Sequence, residues 1–193
     1  MKRIYFDKIV TAVGFGLAVF LVIAAGLLNW GATFAADAVG SQLEAQAITL
    51  PAETGNKKEP ADVTSFFKEN GERIMTTGKQ AQMYADHYLG FHLSAMPAYA
   101  AASGANRAAA AALAANPNDP TLKADAAAKA GIVETVFKGT MLRGTLLTAY
   151  AFGTLGSIAA IAALVSLVGA GVMLLLSILG LLHIRRTPKD VTI

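Results

Sequence analysis

Two long stretches of this chain contain no Asp, Glu, Lys or Arg, and no other feature restricts its fold as strongly. Residues 9–28 read IVTAVGFGLAVFLVIAAGLL, and residues 145–184 run for 40 positions without such a charge. At 1.5 Å per helical residue the first stretch reaches across the ~30 Å hydrocarbon layer of a bilayer. The second is twice as long as one crossing needs. A segment in lipid must satisfy its backbone polar groups internally, so both stretches are expected to be helical. The charged fraction of the whole chain is 15%, against about 25% in soluble domains, and the apolar excess sits in these two places. The expectation is an all-α membrane protein in which two transmembrane helices flank an extracytoplasmic alanine-rich helical domain. Its expected parts are a cytoplasmic N-terminus at 1–8, a first span at 9–34, the domain at 35–144, a long hydrophobic helix with the second span at 145–184, and a cytoplasmic C-terminus at 185–193.

The orientation follows from charges outside those stretches. Lys2, Arg3 and Lys8 precede the first, and Arg185, Arg186 and Lys189 follow the second. Cytoplasmic flanks carry the excess of Lys and Arg, so both termini are expected inside the cell. Three spans would put Arg185, Arg186 and Lys189 outside. A hairpin within 145–184 would also need a polar turn, and Gly153-Thr154-Leu155-Gly156-Ser157 is a weak one. Two spans are therefore favoured, the second near 156–182. Thr33 and Ala35 make a passable signal-peptide cleavage site, but the apolar stretch exceeds the ~7–15 residues of a signal core. Trp30 lies where an indole prefers the membrane interface. Residues 37–140 carry 9 basic and 11 acidic side chains, which is not the basic stripe of a nucleic-acid binder.

Between the spans the pattern is helical with interruptions. Residues 36–47 suit a short helix anchored by Leu43 and Ile48. PAETGNKKEP at 51–60 is a loop by composition. A helix is expected from Asp62 or Thr64, with Val63, Phe66 and Phe67 apolar and with Gly71 and Gly78 as weak points. In residues 79–96, Tyr84, Tyr88, Phe91 and Ala95 recur on one helical face, and Pro97 ends that helix. An alanine-rich helix follows at 98–115, then the turn NPNDP, with Asp119 as cap and Pro120 at the first helical position. Ile132, Val133, Val136, Phe137, Met141 and Leu142 form a stripe that runs into the second apolar stretch.

Reactive chemistry is sparse. There is no cysteine, which removes disulfides, thiolate catalysis and Cys-ligated metals. His87 and His92 with Asp86 suggest a two-His, one-carboxylate iron site, but three ligands must converge on one point, and on a continuous α-helix these diverge. His183, beside Arg185 and Arg186, reads as an interfacial residue. No haem-attachment, nucleotide-binding or nucleophile-elbow motif occurs. Neither span has a charge at its centre, as ion pathways usually do. No cofactor, metal or catalytic residue is therefore expected. What the spans do offer is small side chains: Gly156, Ala160, Ala163 and Ala170 with Ser166 beside them, and Ala12 and Gly16 in the first span. Such faces let helix backbones approach closely, against another protein or the chain's own second helix. Arg143 stands alone before the second stretch. It is read as reaching lipid headgroups at the outer surface or pairing with a partner.

Three segments, SQLEAQAITLPAE at 41–53, TTGKQAQMYADHYLGFHLSAM at 76–96 and ETVFKGTMLRGTLLTAY at 134–150, resemble a group of small actinobacterial membrane proteins of undefined role, often labelled "aromatic ring-opening dioxygenase". The resemblance covers most of the chain from residue 41 and implies no defined reaction. In size and topology the chain is also similar to small accessory subunits of the actinobacterial respiratory supercomplex, which joins a cytochrome bc complex to an aa3-type oxidase. That similarity implies a non-catalytic subunit whose partners are other membrane subunits, among them those of the two complexes, and lipids. A free-standing envelope protein that organises or senses the cell wall or lipids is the alternative, and an enzyme ranks third.

Overall fold

A computed structural model describes residues 3–188 of the chain; Lys2 and Lys189 of the expected basic flanks lie outside the described residues. The elements are α1 (Arg3–Ala45), α2 (Ala61–Asn70), α3 (Gly78–Met83), a π-helical segment (Tyr84–Leu89), α4 (Gly90–Ser94), α5 (Tyr99–Ala115) and α6 (Pro120–Arg186). No strand occurs among the described residues; an antiparallel bridge joins Thr49 and Ile74. Two helices, α1 of 43 residues and α6 of 67, are long and apolar enough to cross a membrane. Only 22% and 11% of their most apolar windows are buried within the chain, far from the burial of a soluble protein's core helix.

One expectation changes, and the choice between one helix and a hairpin is decided. The separate short helix at 36–47 is the last part of α1, because the run NWGATFAADAVG has no proline and is rich in alanine, so nothing stops propagation. The stretch 145–184 is one helix, continuous through Gly153-Thr154-Leu155-Gly156-Ser157. Its glycines are packing positions and not a turn. A Cβ on Gly153 would lie 3.4 Å from the Gly78 Cα, and one on Gly156 would lie 3.0 Å from the Ala35 Cβ.

The chain divides into two compact units, Met1–Asp37 with Thr154–Ile193, and Ala38–Gly153. In the first, α1 and α6 run antiparallel. Thr11 faces Gly180, Gly14 faces Ser177, Leu21 faces Gly169 and Ala35 faces Gly156. Thr11, Ala18, Ala25 and Ala32 are buried on α1, and Gly156, Ala163, Ala170 and Ser177 on α6. Both sets repeat every seven residues, the spacing at which two helices keep one seam in contact. The side chains are small because the backbones are close: a methyl group added to Gly14 would run into the Ser177 hydroxyl. The outer faces are apolar and open, with Phe20, Ile23, Leu27, Leu164, Val168 and Leu175 all exposed.

The second unit has a conventional core. The end of α1 supplies Val39 and Leu43, α2 supplies Val63 and Phe67 one helical turn apart, and α6 supplies Leu146. Leu50 and Met75 come from the extended segments on either side of α2, held by Leu50 N–H to Arg73 O (2.9 Å) and Met75 N–H to Ile48 O (2.8 Å). Helix α3 starts in a capping box, where the Thr77 hydroxyl accepts from Gln80 N–H and the Gln80 side chain accepts from Thr77 N–H. Gly78 lets this helix start meet α6, since a Cβ there would come within 3.0 Å of the Ala149 carbonyl. The NPNDP turn forms as expected: the Asp119 carboxylate accepts from Thr121 and Leu122 N–H, and Pro120 opens α6.

Two measurements follow. Phe67 is fully buried while Phe91 is 38% exposed. Phe67→Ala should cost ~3–5 kcal/mol and Phe91→Ala clearly less, read as melting of the helical circular dichroism signal; equal losses would contradict this core. A Cβ on Gly180 lies 3.5 Å from that of Thr11, at the lower edge of the ~3.5–4.5 Å disulfide range. In a chain without native cysteine, Thr11→Cys with Gly180→Cys should therefore cross-link on oxidation. Ala12→Cys with Gly180→Cys should not, and the opposite pattern would refute the register.

Candidate functional site

The most unusual local structure is the π-helical segment Tyr84–Leu89. Here Gly90 N–H donates to Ala85 O, five residues back. Such wide turns are rare and occur mostly as single insertions in α-helices, frequently at functional sites. Widening delays the helical rotation, so residues beyond it move to a different face. Tyr84, Tyr88 and His92 form a row of tilted rings, with centroids 4.9 Å and 4.4 Å apart. Phe91 and Ala95, expected on the same buried face as the tyrosines, are exposed. Burial pushes the Tyr84 phenol above its ordinary value of 10.0, with the neighbouring Tyr88 adding to the effect, so this phenol is neutral at physiological pH.

Arg143 does not stand alone. Its Nη2 donates to Asp86 Oδ1 at 2.9 Å and its Nε donates to the Ala85 carbonyl at 3.0 Å. That carbonyl therefore receives the Gly90 amide and the guanidinium together. A planar fork suits this double contact better than an ammonium would. Arg143 is therefore not isolated: within the chain it ties α6 to the widened turn, with its side chain still 42% exposed. Nearby, Gly139 leaves room for Leu93, whose Cδ2 would lie 2.8 Å from a Cβ at that position.

The loop 51–60 closes on the same segment. His87 Nδ1 lies 3.0 Å from Glu59 Oε2, and the Glu59 side chain is only 8% exposed. The other Glu59 oxygen accepts from Asn56 Nδ2 at 3.2 Å. His92 Nδ1 sits 2.7 Å from the Tyr88 carbonyl. A carbonyl only accepts, so that nitrogen carries the proton. Gly55 adopts φ +82°, which favours glycine, and a Cβ there would touch Phe91 and His92 at 3.6 and 3.8 Å. Asp86 thus turns to Arg143 and His87 to Glu59. Among the described residues no three His, Asp or Glu side chains gather as a metal-ligand set. The arrangement is a brace that joins loop, widened turn and α6.

The small residues singled out in the spans are divided by the fold. Gly156, Ala163 and Ala170 lie buried in the α1–α6 seam and Ser166 is half-buried there, while Ala160, Ala12 and Gly16 are exposed. On α1 the seam is instead built from Thr11, Gly14 and Ala18. Trp30 is 68% exposed and stacks on Phe34 at 5.9 Å. His183 Nε2 lies 3.8 Å from Asp7 Oδ2, beside the start of α1. Glu59, Asn56 and the capping pair Thr77 and Gln80 were missed in the sequence. The T-x-x-Q spacing would have revealed the cap, and the seven-residue recurrence of Thr11, Ala18, Ala25 and Ala32 the seam; the Glu59–His87 pair leaves no local trace. Comparison with protein-family models, curated proteins and solved structures finds no match.

Removing the guanidinium leaves Asp86 and the Ala85 carbonyl without it. Because Arg143 and Asp86 are partly exposed, Arg143→Ala should cost only ~1–2 kcal/mol. It should also speed hydrogen exchange at the Gly90 amide. Arg143→Lys should restore part of the stability and not the protection. Unchanged exchange at Gly90 in both variants would mean that the brace does not hold the widened turn.

Proposed function

We propose that this chain is a membrane-embedded, non-catalytic accessory subunit of a larger membrane complex, with the respiratory assembly of cytochrome bc and aa3-type oxidase as the leading candidate. On this reading α1 and α6 cross the bilayer, both termini are cytoplasmic, and residues 38–153 lie on the extracytoplasmic side. The outward apolar faces of the two helices favour lipid contact. Arg3, Lys8, Arg185 and Arg186 favour the cytoplasmic assignment, and the antiparallel pairing of α1 with α6 is consistent with an even number of crossings.

The observation that carries the accessory role is apolar surface left open in the unit Ala38–Gly153. Tyr99 is 50%, Phe137 51% and Met141 57% exposed, and the rings of Tyr99 and Phe137 lie 5.9 Å apart. Clustered exposed apolar groups of this kind mark interaction surfaces. The alternative, a free-standing envelope organiser, is favoured by the seam: α1 and α6 use Gly156, Ala163 and Ala170 on each other and need no partner there.

Purification from native membranes in mild detergent separates the two readings. Co-elution with haem-containing complexes, lost in Phe137→Asp with Met141→Asp while the chain stays folded, is the expected result. A lone monomer or homo-oligomer with no haem would refute the accessory role. Reporter fusions at the two ends should both report a cytoplasmic location, and an external C-terminus would refute the two-span arrangement.

A further inference from the structure

The α1–α6 pairing brings together two basic segments that are more than 170 residues apart in sequence. Thr11 faces Gly180 and Asp7 approaches His183, so Arg3, Lys8, Arg185 and Arg186 lie at the same end of one helix pair. Asp7 is the one acidic residue there among the described residues. It is directed into the seam, with Arg3 Nε at 3.9 Å and His183 Nε2 at 3.8 Å, and so offsets Arg3 first. Lys8, Arg185 and Arg186 are exposed and have no acidic partner among the described residues. Next to them Tyr5 and Phe6 are exposed at 56% and 48%, followed by the open apolar faces of both helices. Cationic heads and exposed rings thus lie together at one end of the unit, with bare hydrocarbon beyond them.

We propose that this end of the helix pair is a collar that selects anionic phospholipids, with Lys8, Arg185 and Arg186 contacting the headgroup phosphates and the exposed Tyr5 and Phe6 lying among them. The inference rests on the membrane placement proposed above and adds the lipid class. Basic side chains next to a membrane helix attract anionic headgroups by about 1 kcal/mol each, roughly a fivefold preference per cation. The attraction fades with ionic strength.

The full-length protein in neutral detergent would be titrated with short-chain phosphatidylglycerol or phosphatidylcholine, and adducts counted by native mass spectrometry. Phosphatidylglycerol should be retained in preference, with the preference falling as salt rises. Single variants Lys8→Gln, Arg185→Gln and Arg186→Gln should each reduce it several-fold, and Arg185→Lys should keep most of it. Equal retention of both lipids by the wild type would overturn the proposal without any variant. So would a preference that the Gln variants leave unchanged, or complete competition by inorganic phosphate, which would indicate an ion site. Carbonate washing of native membranes keeps the two readings apart. Release of the protein refutes the membrane placement itself; retention with no headgroup preference refutes the collar alone.

Discussion

Close approach of two helix backbones along a seam of glycine, alanine, serine and threonine is the constraint on which the unit formed by α1 and the second part of α6 depends. Most large side chains contribute little to this contact, because they point outward, as the exposed Phe20, Leu27, Leu164 and Leu175 do; Leu21 against Gly169 and Met173 near Gly14 are the exceptions. Attraction must come from dispersion between backbones and short side chains, which falls steeply with separation. Two glycines stand opposite hydroxyl side chains, Gly14 against Ser177 and Gly180 against Thr11. The two contacts lie three residues apart on each helix. They fix the register, since a shift along either helix would put a Cβ where only a hydrogen fits.

The unit Ala38–Gly153 obeys a different economy. It buries Phe67, Leu50, Met75 and Leu146 completely, and its irregular parts are secured by polar contacts that cross the chain. Arg143 reaches the π-helical segment from 57 residues away, and Glu59 reaches His87 from 28. Without the widened turn, Ala85 would not offer its carbonyl in this way to both an amide and a guanidinium. The residues that looked most like an iron site, His87, His92 and Asp86, are each tied to a different neighbour. Loop 51–60 takes up His87 and α6 takes up Asp86, while His92 bonds back to the Tyr88 carbonyl.

An accessory role accords with this distribution of order. Glu59, His87, Asp86 and Arg143 are engaged in internal bracing, while Tyr99, Phe137 and Met141 remain uncovered. The seam accounts for part of the small-residue pattern that suggested a partner in the membrane, which leaves those open side chains as the surface a partner would meet. Exposed Ala12, Gly16 and Ala160 are left as close-approach positions outside the seam.

The helical class, the two long apolar segments, the break at Pro97, the alanine-rich helix and the Asp119 turn could all be read from the sequence. Each depends on local preferences: apolar run length, proline geometry, helix propensity and short-range capping. The flanking charges favoured continuity of α6 through Gly153 and Gly156, but the role of these glycines could not be read, because a glycine in a turn and a glycine at a close contact look alike until the facing element, Gly78 or Ala35, is placed. The choice of Gly14 and Thr11 over Gly16 and Ala12 on α1 was likewise hidden, since the partner helix selects which small residues form the seam. Arg143 and Glu59 found their partners only in three dimensions. Local chemistry thus determined which segments are helices. Contacts between distant segments decided which faces meet, where one helix widens, and which charged side chains are tied internally.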